Sequence, residues 1–315
     1  MKKILVTGAS GFIGQSLCET LSKSERSVLG AVRNLDSILI NKNIKYISVG
    51  DIAFKKNWKD LLVDVDGIIH CAGRTHKMND NKNFDAYQLT NLNGTKYLAE
   101  QAVEAGVKRL VFLSSVKVND ETTHQNTKQK LSHKDTPNPN DYYAISKLEA
   151  EKALWDISLR TGLEVVVVRL PLVYGYGVKG NLARLIKLVK LGIPLPLSLV
   201  KNQRSMIGID STIDLLIRCI DYSKASGKTF LASDGEDLST PELIKLISSS
   251  MGRKANLLSV PLLVLKFLGL IFGKREEINK LVESLRVDHN YTTDVLNWTP
   301  PISVEEGIRK MVQGK

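Results

Sequence analysis

Cysteine is scarce in this 315-residue chain: Cys18, Cys71 and Cys219 are far apart and odd in number. That excludes a disulfide framework and any CxxC zinc module, and makes a reducing cytoplasm the expected setting. His76, His124, His133 and His289 lack metal-ligand spacing, so no metal is expected. No internal repeat stands out, and no run of like charge resembles a nucleic-acid-binding tail, so nucleic acid is not an expected partner. The opening residues, MKKILVTGAS, hold no apolar core long enough for a signal peptide. The most apolar stretch, residues 257–272 (LLSVPLLVLKFLGLIF), contains Pro261 and Lys266 and falls short of the roughly 20 apolar residues of a spanning helix. A buried helix or a hydrophobic surface lid is expected there. A peripheral membrane contact aided by Lys266, Lys274 and Arg275 is the alternative.

What is present suits a globular chain. Hydrophobic residues make up 43% and charged residues 24%, which excludes disordered and fibrous classes. The length fits one large domain or two small ones. With 44 basic and 33 acidic side chains the net charge is +11, which suits an anionic ligand, nucleic acid or a membrane surface without choosing among them.

From residue 1 to about 170, short β-rich apolar runs alternate with helix-length segments, clearest at 11–22, 85–105 and 141–161. The run LEVVVV at 163–168 implies burial on both faces. This alternation predicts an α/β fold with a doubly wound parallel sheet. After Arg169, prolines and glycines break the pattern, and a smaller mixed C-terminal region is expected. The predicted division is a dinucleotide-binding domain at 1–169, to which 205–232 returns, and a substrate-binding region at 170–204 and 233–315.

The first strand runs into Gly8-Ala-Ser-Gly11-Phe12-Ile13-Gly14, and a helix follows. Glycines at this spacing permit a tight turn, close approach of backbone to a pyrophosphate, and close helix–strand packing. The helix N-terminus then offers N–H groups to the phosphates. The second strand ends at Arg33 with no acid at its tip, which favours the 2′-phosphate of NADP over NAD. Asp51 and Ile52 are placed to meet the adenine, and Cys71, Ala72 and Gly73 leave room for the ribose and nicotinamide.

A second constellation is Tyr143-Ala-Ile-Ser-Lys147, whose phenol and ammonium share one helix face. A nearby positive charge draws a phenol toward use as a general acid or base. Ser115, ending the fifth strand, offers a hydroxyl to the reacting oxygen.

With these residues in this order, the chain resembles the extended short-chain dehydrogenase/reductase superfamily of nucleotide-sugar epimerases, dehydratases and reductases. TGASGFIG (7–14), HCAG (70–73), NLNGT (91–95), FLSSVKV (112–118), YYAISK (142–147) and RLPLVYGYG (169–177) carry the resemblance. It implies a Rossmann-like domain, with Tyr143 as acid/base, Lys147 also on the nicotinamide ribose, and Ser115 on the sugar C4 oxygen. It implies that Pro171 and Val173 line the nicotinamide, while Asn181 and Arg204 meet the diphosphate of a UDP-sugar. Lys117 stands in the sugar pocket. A homodimer built on segments 85–105 and 141–161 is also implied. An Asp-Glu pair after Ser115 is absent, which disfavours 4,6-dehydration. Arg33 favours reduction of a UDP-4-keto-N-acetyl(6-deoxy)hexosamine in bacterial surface-polysaccharide precursor synthesis. UDP-glucose or UDP-N-acetylglucosamine 4-epimerisation is the alternative, and a non-catalytic dinucleotide sensor is a further one.

Overall fold

The computed structural model describes residues 2–37, 41–54, 57–75, 83–123 and 129–314; His76 and His124 lie outside them. The strands are β1 (Lys3–Thr7), β2 (Ser27–Val32), β3 (Ile44–Ser48), β4 (Gly67–His70), β5 (Arg109–Ser115) and β6 (Glu164–Leu170). Then β7 (Leu172–Tyr174) and β8 (Met206–Gly208) form a separate parallel pair, and β9 (Lys228–Leu231) returns to join β6. Among the described residues the main sheet has seven strands in the order β3-β2-β1-β4-β5-β6-β9, every pairing parallel. Chain direction across the sheet reverses between β1 and β4, and such a switch point opens a crevice at the strands' C-terminal ends.

The helices are α1 (Phe12–Leu21), α2 (Lys59–Leu62), α3 (Phe84–Tyr87), α4 (Gly94–Glu104), α5 (Tyr142–Thr161) and α6 (Asn181–Lys190). They continue as α7 (Ile209–Asp221), α8 (Thr240–Ser250), α9 (Leu262–Ile271), α10 (Arg275–Val282), α11 (Asn290–Leu296) and α12 (Val304–Gln313). Alternation along the strands sorts the core. Ile4, Val6, Val166 and Val168 pack under α1 and α7, while Leu5, Val165 and Val167 pack under α4 and α5. The valines at 165–168 are wholly buried, as their unbroken apolar run predicts. A third cluster joins α6, α8, α9, α10 and α12 around Tyr174 and Met206.

Helix α5 begins where Asp141 accepts from the Ala144 amide at 2.7 Å and ends at Gly162, whose φ of 79° suits glycine. Segment 85–105 departs from the expected single helix. Residues Gln88–Asn93 widen into i→i+5 spacing between α3 and α4, a distortion that turns side chains out of the regular helical face. The apolar stretch 257–272 is not a buried helix: α9 buries Leu265 but leaves Leu263 82% exposed. No helix among the described residues is long and apolar enough to cross a membrane.

Candidate active site

The turn after β1 is shaped by backbone contact. A Cβ on Gly8, whose φ is 65°, would lie 2.8 Å from the Ala72 amide nitrogen, and one on Gly14 would lie 2.2 Å from the Gly8 oxygen. Only glycine fits either position. Gly11 caps α1 without any side-chain hydrogen bond, so the amides of Phe12, Ile13 and Gly14 open the helix with no side chain upon them. Such a cradle, at the switch point of a parallel sheet, fits the pyrophosphate of a dinucleotide. Arg33 and Asp51 follow β2 and β3, with guanidinium and carboxylate 3.8 Å apart. Gly94 lets α4 approach Ile52, since a Cβ there would meet the Ile52 oxygen at 2.6 Å.

The three expected catalytic residues converge on the C-terminal end of β5. Ser115 ends that strand and hydrogen-bonds the Tyr143 phenol. Burial pushes Tyr143 up to about 12; Asp141 and Tyr87 raise it further, while the Ser115 bond draws it down. At neutral pH the phenol is therefore a proton donor. One turn along α5, the Lys147 ammonium donates to the Leu113 carbonyl at 2.8 Å and lies 4.4 Å from the centre of the Phe112 ring. A Cβ on Gly73 would lie 3.2 Å from Nζ, so the HCAG turn leaves room for this amine. Burial brings Lys147 down to about 8, although Cys71 and Glu151 hold it up.

Several supporting residues escaped the sequence reading. His70 ends β4 wholly buried, bonded to Thr7 at 2.6 Å and Thr95 at 2.9 Å, and burial with the Lys147 charge lowers it to about 3. Asn91, on the widened turn, donates to the Arg74 carbonyl at 3.0 Å and to Ser146 at 2.9 Å, and accepts from the Arg74 amide at 2.7 Å. It thereby ties the HCAG segment to α5 between Tyr143 and Lys147. Glu151, one turn beyond Lys147, takes Arg169 Nε at 3.0 Å and Nη2 at 2.5 Å, and accepts from Ser114 beside Ser115. Its place in the repeat Tyr143, Lys147, Glu151 was a usable signal, since i+4 spacing sets all three on one face.

Residues 4–231 match the NAD dependent epimerase/dehydratase family. The chain belongs to this family. It is 39% identical over 317 residues to a UDP-glucose 4-epimerase from Vibrio cholerae, covering 99% of this chain and 95% of that one. Its fold is similar to the crystal structure of UDP-glucose 4-epimerase with UDP-glucose from Thermotoga maritima, with a TM-score of 0.81 and 21% identity over 99% and 97% of the two chains. The structure of UDP-glucuronic acid 4-epimerase from Bacillus cereus in complex with NAD gives the same TM-score and identity, over 99% and 95%.

The remaining expected contacts of this epimerase/dehydratase chain are more scattered. Pro171 is buried and Val173 half-buried, both just beyond β6 and hence beside the cleft. Asn181 opens α6 and is exposed. The Arg204 guanidinium is tied to main chain, donating to the Lys280 and Glu283 carbonyls at 3.1 and 3.2 Å. Lys117 donates to Glu121 and Asp141 at 2.6 Å each, so it braces the start of α5 just before Tyr143.

Proposed function

We propose that the chain is a NAD-dependent UDP-hexose 4-epimerase. The observation that carries this reading is the Tyr143 phenol bonded to Ser115, with Lys147 one turn away, at the mouth of a glycine-lined dinucleotide cradle. The name of the Vibrio cholerae relative supports epimerisation, and nothing comparable supports reduction of a 4-keto sugar. The reductase alternative drew on Arg33. That guanidinium faces the Asp51 carboxylate, which would repel a 2′-phosphate at the same place, so NAD is the proposed cofactor.

Gly8, Gly11, Gly14 and the amides opening α1 would hold the dinucleotide phosphates, with Arg33, Asp51 and Ile52 around the adenosine. Cys71, Ala72, Gly73, Pro171, Val173, Tyr143 and Lys147 would surround the nicotinamide ribose. The dinucleotide supplies reversible two-electron redox chemistry. The chain's residues move the proton: Tyr143, drawn toward phenolate by the positive charge of Lys147 and of the nicotinamide ring, would take it from the sugar C4 hydroxyl and later give it back. Ser115 donates to that oxygen and steadies the phenolate, and Lys147 adds positive charge to the cleft. The 4-keto sugar would then turn to present its other face. Asn181, Arg204 and Lys117 belong to this reading as the UDP-sugar side of the cleft, supplied by 170–204 and 233–315. A homodimer through α4 and α5 completes it, and sedimentation velocity checks that point.

Incubation with UDP-glucose or UDP-N-acetylglucosamine and NAD alone should yield the galacto epimer, followed by proton NMR. Absence of any epimer, together with oxidation of NADPH on adding a UDP-4-keto sugar, replaces the epimerase with a reductase.

A further inference from the structure

Helix α9 is amphipathic in an inverted sense. Leu263, Val264, Phe267, Leu270 and Ile271 recur at helical spacing on one face, and that face is 43–82% exposed. The opposite side carries buried Leu265 and Gly269. Gly269 lets α10 approach closely, since a Cβ there would lie 2.8 Å from Ile278. The α9–α10 hairpin is thus held to the body by one side and turns its oily side outward, with Phe272 at the bend 70% exposed. Exposed apolar patches of this kind mark interaction sites.

The surrounding charge says what the patch meets. Residues 251–275 contain Arg253, Lys254, Lys266, Lys274 and Arg275 and no acid; Glu276 and Glu277 follow, and the Glu277 carboxylate sits 3.3 Å from the Lys274 ammonium. Residues 181–201 contain Arg184, Lys187, Lys190 and Lys201, again with no acid. These two short segments therefore carry nine positive charges in a chain whose net charge is +11. The fold brings them side by side. Leu195 bridges Leu257, the Ser198 amide donates to the Leu258 carbonyl at 3.2 Å, and Arg253 donates to the Lys190 carbonyl at 2.6 Å. Leu199 and Leu258, both 48% exposed, extend the apolar surface across the join.

We propose that this face docks the protein on an anionic phospholipid bilayer, with the α9 side chains seated among the acyl chains and the cations on the headgroups. A helix of ten residues with an apolar face and flanking lysine and arginine lies in the interface plane rather than crossing it. Anionic headgroups attract such cations at short range, and added salt weakens the attraction. An acidic protein surface would match the charge but offers no medium for five exposed aliphatic and aromatic side chains on one short helix. The inference does not depend on which sugar the site turns over.

The test is flotation of the full chain with vesicles of phosphatidylglycerol and phosphatidylethanolamine, against vesicles of phosphatidylcholine alone. Binding to the anionic vesicles, reduced by raised salt, is expected. Leu263→Asp with Phe267→Asp should cost at least tenfold in partitioning. Lys266→Glu, Lys274→Glu and Arg275→Glu together should cost about a hundredfold. These side chains are solvent-exposed and outside the catalytic machinery, so UDP-sugar turnover should stay at the parent rate in both variants, which also reports that they fold. Failure of the parent chain to float with anionic vesicles overturns the proposal. So does a fall in mass by light scattering in the Leu263→Asp, Phe267→Asp variant, which would make the face a contact between copies of this chain. Neither result touches the catalytic reading.

Discussion

Glu151 and Arg169 form a two-point ion pair in the wall behind Tyr143 and Lys147, with side chains only 2% and 7% exposed. Arg169 also donates to Asn119 at 2.9 Å, and Ser114 donates to Glu151, so the pair joins α5, β5, β6 and the turn after β5. Glu151→Ala would leave the guanidinium buried with one partner gone. Loss of about 3–5 kcal/mol in urea unfolding is expected. Glu151→Gln keeps an acceptor and should lose less. Equal losses in the two variants would show that the charge of Glu151 carries the whole effect and its acceptor geometry none.

Tyr143→Phe should lower turnover by about two to four orders of magnitude while leaving NAD affinity within a factor of a few, because on the proposed reading the phenol moves a proton and the glycine turn holds the phosphates. Ser115→Ala removes the hydrogen bond that draws the phenol down. The alkaline rise of the oxidation step should then move to higher pH. Stopped-flow rates across a pH series check both, and an unshifted profile in Ser115→Ala separates the two residues.

The glycine turn, Tyr143 and Lys147 were legible in the sequence because their meaning is local: a spacing, a strand before, a helix around. Glu151 shares their helix face, yet its partner Arg169 is 18 positions away on another strand. Only the folded sheet brings the two together. Asn91 was hidden for a different reason. A regular helix over 85–105 would not turn its amide toward Arg74, and the widened turn at 88–93 does. The apolar run at 257–272 left a buried helix, a surface lid and a membrane contact open, because burial needs a covering surface and only the fold shows that one side of α9 has it.

Lys147 makes stability depend on alkaline pH. Its folded value of about 8 lies below the 10.5 of the free side chain, so between those values the unfolded chain holds more protons. Stability then rises with pH across that window as the buried amine is relieved of its charge. Relative to Lys147→Met, the parent should gain up to about 3 kcal/mol between pH 8 and pH 10.5. Denaturant melts of both proteins at several pH values measure it, and a flat difference removes the burial cost from Lys147.

His70 acts at the acid end. Its value of about 3 in the folded chain lies far below 6.5, so as pH falls from neutrality the unfolded chain gains a proton that the folded chain refuses. The neutral ring bonded to Thr7 and Thr95 thus contributes stability present above about 6.5 and lost on acidification toward 3. Between pH 7 and pH 5 the parent should lose about 2 kcal/mol more than His70→Asn. Equal acid sensitivity of the two proteins would place the loss elsewhere.

On the proposed reading, Arg33 and Asp51 decide the dinucleotide. Their side chains are 73% and 38% exposed, so the contact between them is screened and easily exchanged for a ligand phosphate. In the parent chain the carboxylate occupies the guanidinium and repels a 2′-phosphate, and NAD should bind more tightly than NADP. Asp51→Asn leaves Arg33 as an unopposed cation. The ratio of NADP to NAD affinity should then rise about fivefold, and Arg33→Ala in that background should reverse the gain. Fluorescence titration of each protein with both dinucleotides gives the ratios. Tighter binding of NADP than of NAD by the parent would overturn the assignment of NAD and return the reductase to favour.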